Sequence, residues 1–558
     1  MRPNSFQTGA ALLILLTSIV LVTASFLLYR LNNTSLKIEN QQHTVKVLAE
    51  AKAALIGFAA TYAERNPGQP SGFLPCPDSD GDGSSDPPCT SKGHNVIGLF
   101  PWRTLGLPFL RDSSNTCLWY AVSGNYLDNP KSPLSSITPG LFIIEDAGGN
   151  TVAGSTEADQ AIAVIFAPGL PLAEQNRTPN TSICGTNSLQ AVEYLDTLNA
   201  IDNATGKGTL AARPAISANF LTTSAPLEVS TFVAASPAYE ITNMGGTMRV
   251  NQGKRIFNDT LAWITPQDYQ HVYKRMEYWV AERVRQCVNE YGKQYKAYAK
   301  VHYETEINAF IATQTTKINQ FITDYQNSHE TNNPPYSSEY TSAYTDIHGT
   351  SPAYDPQIAA VSTSDKYPWA AILDETNPID YADDTGHRFG RLASPPFYSS
   401  NADNGLMSKE NIVPYWAMLK GERCFDETAG FNNNQWGWWS AWKEIVFFAM
   451  DISFAPSQPT FLWVDTFRSS TLATVTAPTI HVTSALVQAL TLDSSRTEFI
   501  VLVAGRPLAG QVRTTISDQG KVENYLEGDN QMLDNFTSGD LTTTFNDTVC
   551  SRAQCIQR

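Results

Sequence analysis

The stretch whose spacing carries the most chemistry is "PCPDSDGDGSSDPPC", residues 75–89. Asp78, Asp80 and Asp82 alternate, Gly83 follows, and Asp86 stands at the ninth place counted from Asp78. An EF-hand-like calcium loop takes hard oxygen donors at its first, third, fifth and ninth places, a backbone carbonyl at the seventh, here Ser84, and a glycine at the sharp bend. Its twelfth place normally supplies a bidentate Glu and is Cys89 here, so the expected affinity is the weak one of extracellular modules. A plain Asp/Gly-rich surface turn is the alternative. Four acidic groups this close repel one another unless a cation joins them, which favours Ca2+ as cofactor. Cys76 and Cys89 flank the loop and are candidates to close it, as Cys550 and Cys555 are near the other end. All eight cysteines lie past residue 75 without a CxxC pattern. That usage favours disulfides in an oxidising compartment over a metal cluster.

A second acidic stretch, "DETNPIDYADDTGH" with Asp374, Glu375, Asp380, Asp383, Asp384 and His387, fits no ligand spacing and reads as a solvated loop. Trp436, Trp438, Trp439 and Trp442 offer rings for sugar stacking or for a partner. Trp439 and Trp442 at helical spacing suit a core instead. The eight histidines are scattered, and no GxSxG, HExxH, Walker or GxGxxG pattern occurs. A non-enzymatic chain is the expectation. Acidic residues exceed basic ones, 54 against 38, for a net charge of −16. That balance excludes nucleic acid as the main partner.

The elements that must carry these residues begin with 21 uncharged residues from Gly9 to Tyr29, enough as a helix to cover a bilayer's apolar thickness of about 30 Å. Next, "TVKVLAEAKAALIGFAATYAERNPG" places Val45, Leu48, Lys52, Leu55, Ile56, Ala59 and Tyr62 on one helical face until Asn66, Pro67 and Gly68. A second long helix is predicted from "ITPQDYQ", with Thr265 as cap, Pro266 in the first turn and Asp268 at the positive dipole end, running to about Asn327. The chain also repeats itself. "AVIFAPGLPLAEQNR" at 163–177 matches "FIVLVAGRPLAGQVR" at 499–513, "VEYLDTLNAIDNATG" from Val192 parallels "VENYLEGDNQMLDNFTSG" from Val522, and "FNDT" occurs at Phe257–Thr260 and again at Phe545–Thr548. Short apolar runs bounded by Gly, Pro, Asn and Asp read as strands. The expected class is α+β: a helix and a head, twice.

The opening "QTGAALLILLTSIVLV", a following amphipathic helix and a β-rich head resemble type IV pilin-like proteins, especially type II secretion pseudopilins and minor pilins. The resemblance implies a prepilin peptidase cut between Gly9 and Ala10 and an apolar stem lodged among other pilin-like subunits. It further implies a single-pass protein of the bacterial inner membrane, with its body in the periplasm or beyond. The glutamate that most members carry five residues into the mature chain is Ile14 here. An acid at that depth costs about 2.5–3.5 kcal/mol on insertion scales unless a neighbour neutralises it, so its absence resembles the tip-type general secretion pathway protein K group. The calcium loop resembles dockerin-type and thrombospondin-type loops. The boundaries that follow are a leader over 1–9, a transmembrane stem over 10–29, an amphipathic helix over 30–66 and a first antiparallel-sheet head over 67–265. A second long helix over 266–330, an irregular loop over 331–365 and a second head over 366–558 complete the reading. The alternative functions are a stably anchored surface adhesin and an anchored hydrolase.

Overall fold

A computed structural model of the protein describes residues 6–172, 175, 177, 190–206, 221–222, 225–235, 238–244 and 247–327. Farther along it describes 365, 367–368, 370–371, 373, 375–376, 389–392, 418–419, 422–423, 438–450, 454, 481–484, 498–531, 535–538 and 545–555. The fold is α+β with several sheets, in two compact units: Met1–Leu134 with Thr138–Tyr273, and Ser135–Ile137 with Lys274–Arg558.

The first unit opens with helix α1 (Phe6–Ala60), followed by one further turn, α2 (Tyr62–Arg65). Val47, Leu48, Ala51, Leu55, Ala59 and Tyr62 are buried, an i, i+3/i+4 stripe. The sequence-based face shifts slightly, because Val45 is 59% exposed. Gly68, at φ +86°, turns the chain after the helix ends.

One expectation is corrected here. The fold class read from sequence includes a transmembrane helix, but among the described residues no helix is long and apolar enough to cross a membrane.

Strands of the first unit are β1 (Val96–Leu99), β2 (Trp119–Val122), β3 (Phe142–Glu145), β4 (Thr151–Ala153), β5 (Ala163–Ala167), β6 (Thr197–Leu198), β7 (Ile201–Asp202), β8 (Leu221–Thr222), β9 (Ser230–Val233), β10 (Ala238–Met244), β11 (Thr247–Phe257) and β12 (Thr260–Ile264). The main sheet runs β12-β5-β2-β1-β8, antiparallel wherever its strands pair. Ile97, Leu99, Trp119, Ala121, Val164 and Phe166 share one of its faces. They pack on Phe142, Ile144 and Phe232 of the small sheet β4-β3-β9 and on Val192, Tyr194 and Leu195 of a short 3-10 turn. α1 lies against β5 and β12. Covered on both faces, β5 reads AVIFA without alternation, as a doubly buried strand does.

The second unit contains β13 (Phe389–Arg391), β14 (Met418–Leu419), β15 (Glu422–Arg423), β16 (Val446–Met450), β17 (His481–Ser484), β18 (Phe499–Val503), β19 (Asn535–Ser538) and β20 (Thr548–Ser551). Its main sheet is β13-β16-β18-β20, antiparallel throughout. The register repeats that of β1-β2-β5-β12. Val164 faces Ala121 and Trp263 as Ile500 faces Ala449 and Ser551. Helix α3 (Gln270–Asn327) follows a capping box in which Thr265 N–H donates to Asp268 Oδ2 at 2.8 Å and Asp268 N–H to Thr265 Oγ1 at 3.2 Å. Met276, Val280, Val284, Cys287, Val288 and Tyr291 form its buried stripe. Trp438, Trp439 and Trp442, at helix α4 (Trp439–Trp442), are buried in this unit, with Trp279 and Trp438 edge to face. These three rings fill a core. Trp436 lies outside the described residues.

Candidate functional site

The acidic loop is positioned by a bridge. Asp78 N–H donates to Leu99 O at 2.9 Å and Leu99 N–H returns to Asp78 O at 3.0 Å, fastening the loop's first residue to the end of β1. The Asp78 carboxylate is 1% exposed. Its Oδ1 accepts from the backbone N–H of Asp80 at 3.1 Å and Gly81 at 2.7 Å, and its Oδ2 from Gly83 at 2.7 Å. Burial pushes its pKa up to about 6 against the opposing pull of those three donors. Gly81 and Gly83 both have positive φ, +83° and +89°, which a side chain resists. A Cβ on Gly83 would also fall 2.3 Å from Trp102 Cε2, so the indole closes over bare backbone there.

Asp78, Asp80 and Asp86 each offer an oxygen, all within 4.8 Å of one another. Oxygens bound to one Ca2+ at about 2.4 Å lie at most about 5 Å apart, so this trio fits a common ion. Asp86 is further held by Ser79, whose N–H and Oγ both donate to its Oδ2. Asp82 is directed elsewhere. Its Oδ1 accepts from Ser84 N–H at 2.6 Å, the main reason its pKa is held below the usual carboxylate value, and its Oδ2 pairs with Arg103 at 3.2 Å. The structure thus groups the first, third and ninth loop places, with Ser84 bound to Asp82 rather than to the trio. Cys76 and Cys89 are joined, Cα to Cα 5.8 Å, and so are Cys550 and Cys555. No described cysteine is free.

Near the chain start, Gly9 and Ala10 are backbone residues of α1. Beyond them Leu13, Ile14, Leu15, Leu16, Ile19, Val20, Leu21 and Val22 are each between 55% and 68% exposed. Thr17, Ser18 and Thr23 turn their hydroxyls back onto the carbonyls of Leu13, Ile14 and Ile19 at 2.9, 2.6 and 2.9 Å. These hydroxyls are therefore satisfied within the helix, and the large apolar side chains around them stand exposed. Of the second acidic stretch, Glu375 accepts from Ser517 Oγ and faces Lys521 at 3.8 Å. Asp374, Asp380, Asp383, Asp384 and His387 lie outside the described residues.

Motif reading missed a polar network present once in each unit. In the first, Arg177 donates to the carbonyls of Gly169, Glu193 and Tyr194 and to Gln175 Oε1, with its guanidinium over the Tyr194 ring. Gln175 Nε2 donates to Asp196 Oδ1, and Asn258 N–H to Asp196 Oδ2. Asp259 Oδ2 accepts from Asp196 N–H and Asn203 Nδ2. In the second unit, Arg513 donates to the carbonyls of Gly505 and Asn524 over the Tyr525 ring. Gln511 Nε2 then donates to Glu527 Oε1, Asn546 N–H to Glu527 Oε2, and Glu527 N–H and Asn530 Nδ2 to Asp547 Oδ2. The shared QxR and FND triplets were its signal in the sequence.

No protein-family model matches the chain, and no curated protein or solved structure proves similar to it.

Proposed function

We propose that this chain is a non-enzymatic, pilin-like structural subunit of the minor, tip type, belonging to a type II secretion or type IV pilus assembly. In this reading the apolar start of α1 packs laterally against like helices of other subunits, after a prepilin peptidase cuts between Gly9 and Ala10. The two heads work at the inner membrane's outer side, in the periplasm or beyond. The observation that carries it is the uncovered run of eight large apolar side chains from Leu13 to Val22, in which Thr17 and Ser18 turn their hydroxyls onto the helix's own carbonyls. Contiguous apolar area of that kind marks an interaction site, and each such side chain gains about 1.5–3 kcal/mol on leaving water completely. Ile14 at 68% exposure gives a neighbouring helix no acid to neutralise. Mass measurement of the mature amino terminus tests the reading. A chain starting at Ala10 is expected, and one that retains Met1–Gly9 would favour a stably anchored adhesin instead.

The acidic loop enters the same proposal as a weak Ca2+ site that stiffens the first head, held by Asp78, Asp80 and Asp86. The ion would supply a positive charge shared by three carboxylates and nothing catalytic. Calcium is expected to raise the melting temperature of the native chain and not of Asp80→Ala. A native chain that melts at the same temperature with and without calcium would remove this part.

A further inference from the structure

Each unit encloses an aspartate at the same point of the same network, and in each the carboxyl is left half satisfied. Asp259 is 1% exposed and Asp547 fully buried. Their Oδ2 atoms accept two hydrogen bonds apiece, from Asp196 and Asn203 in one unit and from Glu527 and Asn530 in the other. Their Oδ1 atoms are enclosed and have no hydrogen-bond partner. The carboxamide oxygens of Asn258 and Asn546, the preceding residues, are enclosed without a donor as well. A second acid stands beside each aspartate, Asp196 or Glu527. The nearby cations do not bond either carboxyl, because the bonds of Arg177 and Arg513 described above go to backbone carbonyls and Gln175. Two adjacent carboxylates buried without a bonded cation repel strongly at low dielectric. A proton on one of them removes that repulsion and turns a bare acceptor into a donor.

We propose that Asp259 and Asp547 each hold a proton at neutral pH and act as matched proton latches, one per head. Loaded, the latch fastens the segment 191–196 or 522–527, which opens with a 3-10 turn, to the Asn–Asp step that leads into the last strand. Emptied, it leaves two carboxylates pressed together and loosens that junction. Burial first, and then the neighbouring acid, raise the proton affinity of both aspartates. The charged groups around Asp259 are Asp196 and Arg177, and Arg177 also interacts with Tyr194 and Asp112. Those around Asp547 are Glu527 and Arg513, and Arg513 also interacts with Tyr525 and Glu444. From α3, Lys274 Nζ reaches Asn546 O and Glu277 reaches Thr548 Oγ1. Because the folded state binds the extra proton, stability is greatest in acid and is lost as pH rises through the raised folded value.

The test compares the full native chain with Asp259→Asn/Asp547→Asn, in which neutral amides of the same shape replace the protonated acids. The native chain is expected to lose several degrees of melting temperature between about pH 5 and about pH 9, and the double variant to show a flatter profile. An unaltered slope in the variant would overturn the latch. Should the double variant not fold, infrared spectra decide. The native chain is expected to keep a protonated-carboxyl C=O band well above the ordinary aspartate range, reduced in either single variant. A native spectrum without that band at neutral pH would equally overturn it.

Discussion

The two units share the order of four antiparallel strands, to which the first adds β8, and the same Arg–Gln–acid–Asn–Asp network, yet they differ where the first strand receives its bridge. In the first unit Asp78 bridges Leu99, and the buried charge is negative, held by three backbone N–H groups. In the second, Ala371 bridges Arg391, and the buried charge is positive, donating from a 1% exposed guanidinium to the carbonyls of Glu444 and Gln519. One bridge geometry accommodates either sign, because main-chain dipoles of the appropriate end solvate the charge in place of water. The duplicated part is therefore a scaffold. What distinguishes the copies is the polar chemistry hung on its rim, an acidic loop in one and a buried cation in the other.

The strongest way to break the likeness is to remove one arginine at a time. Arg513→Ala should cost about 2–6 kcal/mol by leaving the carbonyls of Gly505 and Asn524 without their charged donor, at about 1–3 kcal/mol each, and hydrogen-exchange mass spectrometry should show lost protection at 499–531. Arg177→Ala should do the same over 163–206. Equal loss in both segments from either variant would mean that the networks are not independent. Next in size, Gly83→Ala should destabilise by about 1–3 kcal/mol through overpacking against Trp102 on top of its backbone strain. Gly106→Ala, at φ +70° with open space around it, should cost only about 1 kcal/mol. Chemical denaturation of both variants measures the contrast.

A smaller effect sharpens the difference between the bridges. The pKa of Asp78, raised in the folded state to about 6, means that the fold holds more protons than the unfolded chain between about pH 4 and 6. Its contribution is full below that window and declines as pH climbs through it. Asp78→Asn should flatten this slope in melting experiments, and Arg391→Gln in the other unit should leave it intact. Calcium-induced stabilisation should weaken below about pH 6, since the ion needs the ionised carboxylate. Least of all, Arg103→Ala should change stability by no more than about 1 kcal/mol, because both partners of the Asp82 pair are half exposed.

Much of this scaffold was legible in the sequence. β5 and β18 announce themselves as uninterrupted apolar runs with a shared QxR after them, and Thr265 to Asp268 spell out a helix start that the structure caps as written. The first helix shows the limit of periodicity. Val45 fits the apolar stripe as well as Val47 does, and only packing against the sheet decides which of them is buried. The loop shows another limit. Three alternating aspartates and a fourth at the ninth place cannot reveal that Arg103, 21 residues downstream of Asp82, draws Asp82 away from the others. The buried networks were hidden for the same reason. Asp196 meets Asn258 across a sequence separation of 62 residues, and a hydrogen bond between elements leaves no mark on either segment alone.

The indole of Trp102 packs against the main chain of the acidic loop at Gly83, with its ring nitrogen enclosed and lacking an acceptor. That contact gives the molecule a built-in optical reporter. Any rearrangement of the Gly81–Gly83 backbone must alter the polarity around this one ring, so emission from Trp102, isolated by replacing it with Phe and subtracting spectra, would follow the loop without any attached dye.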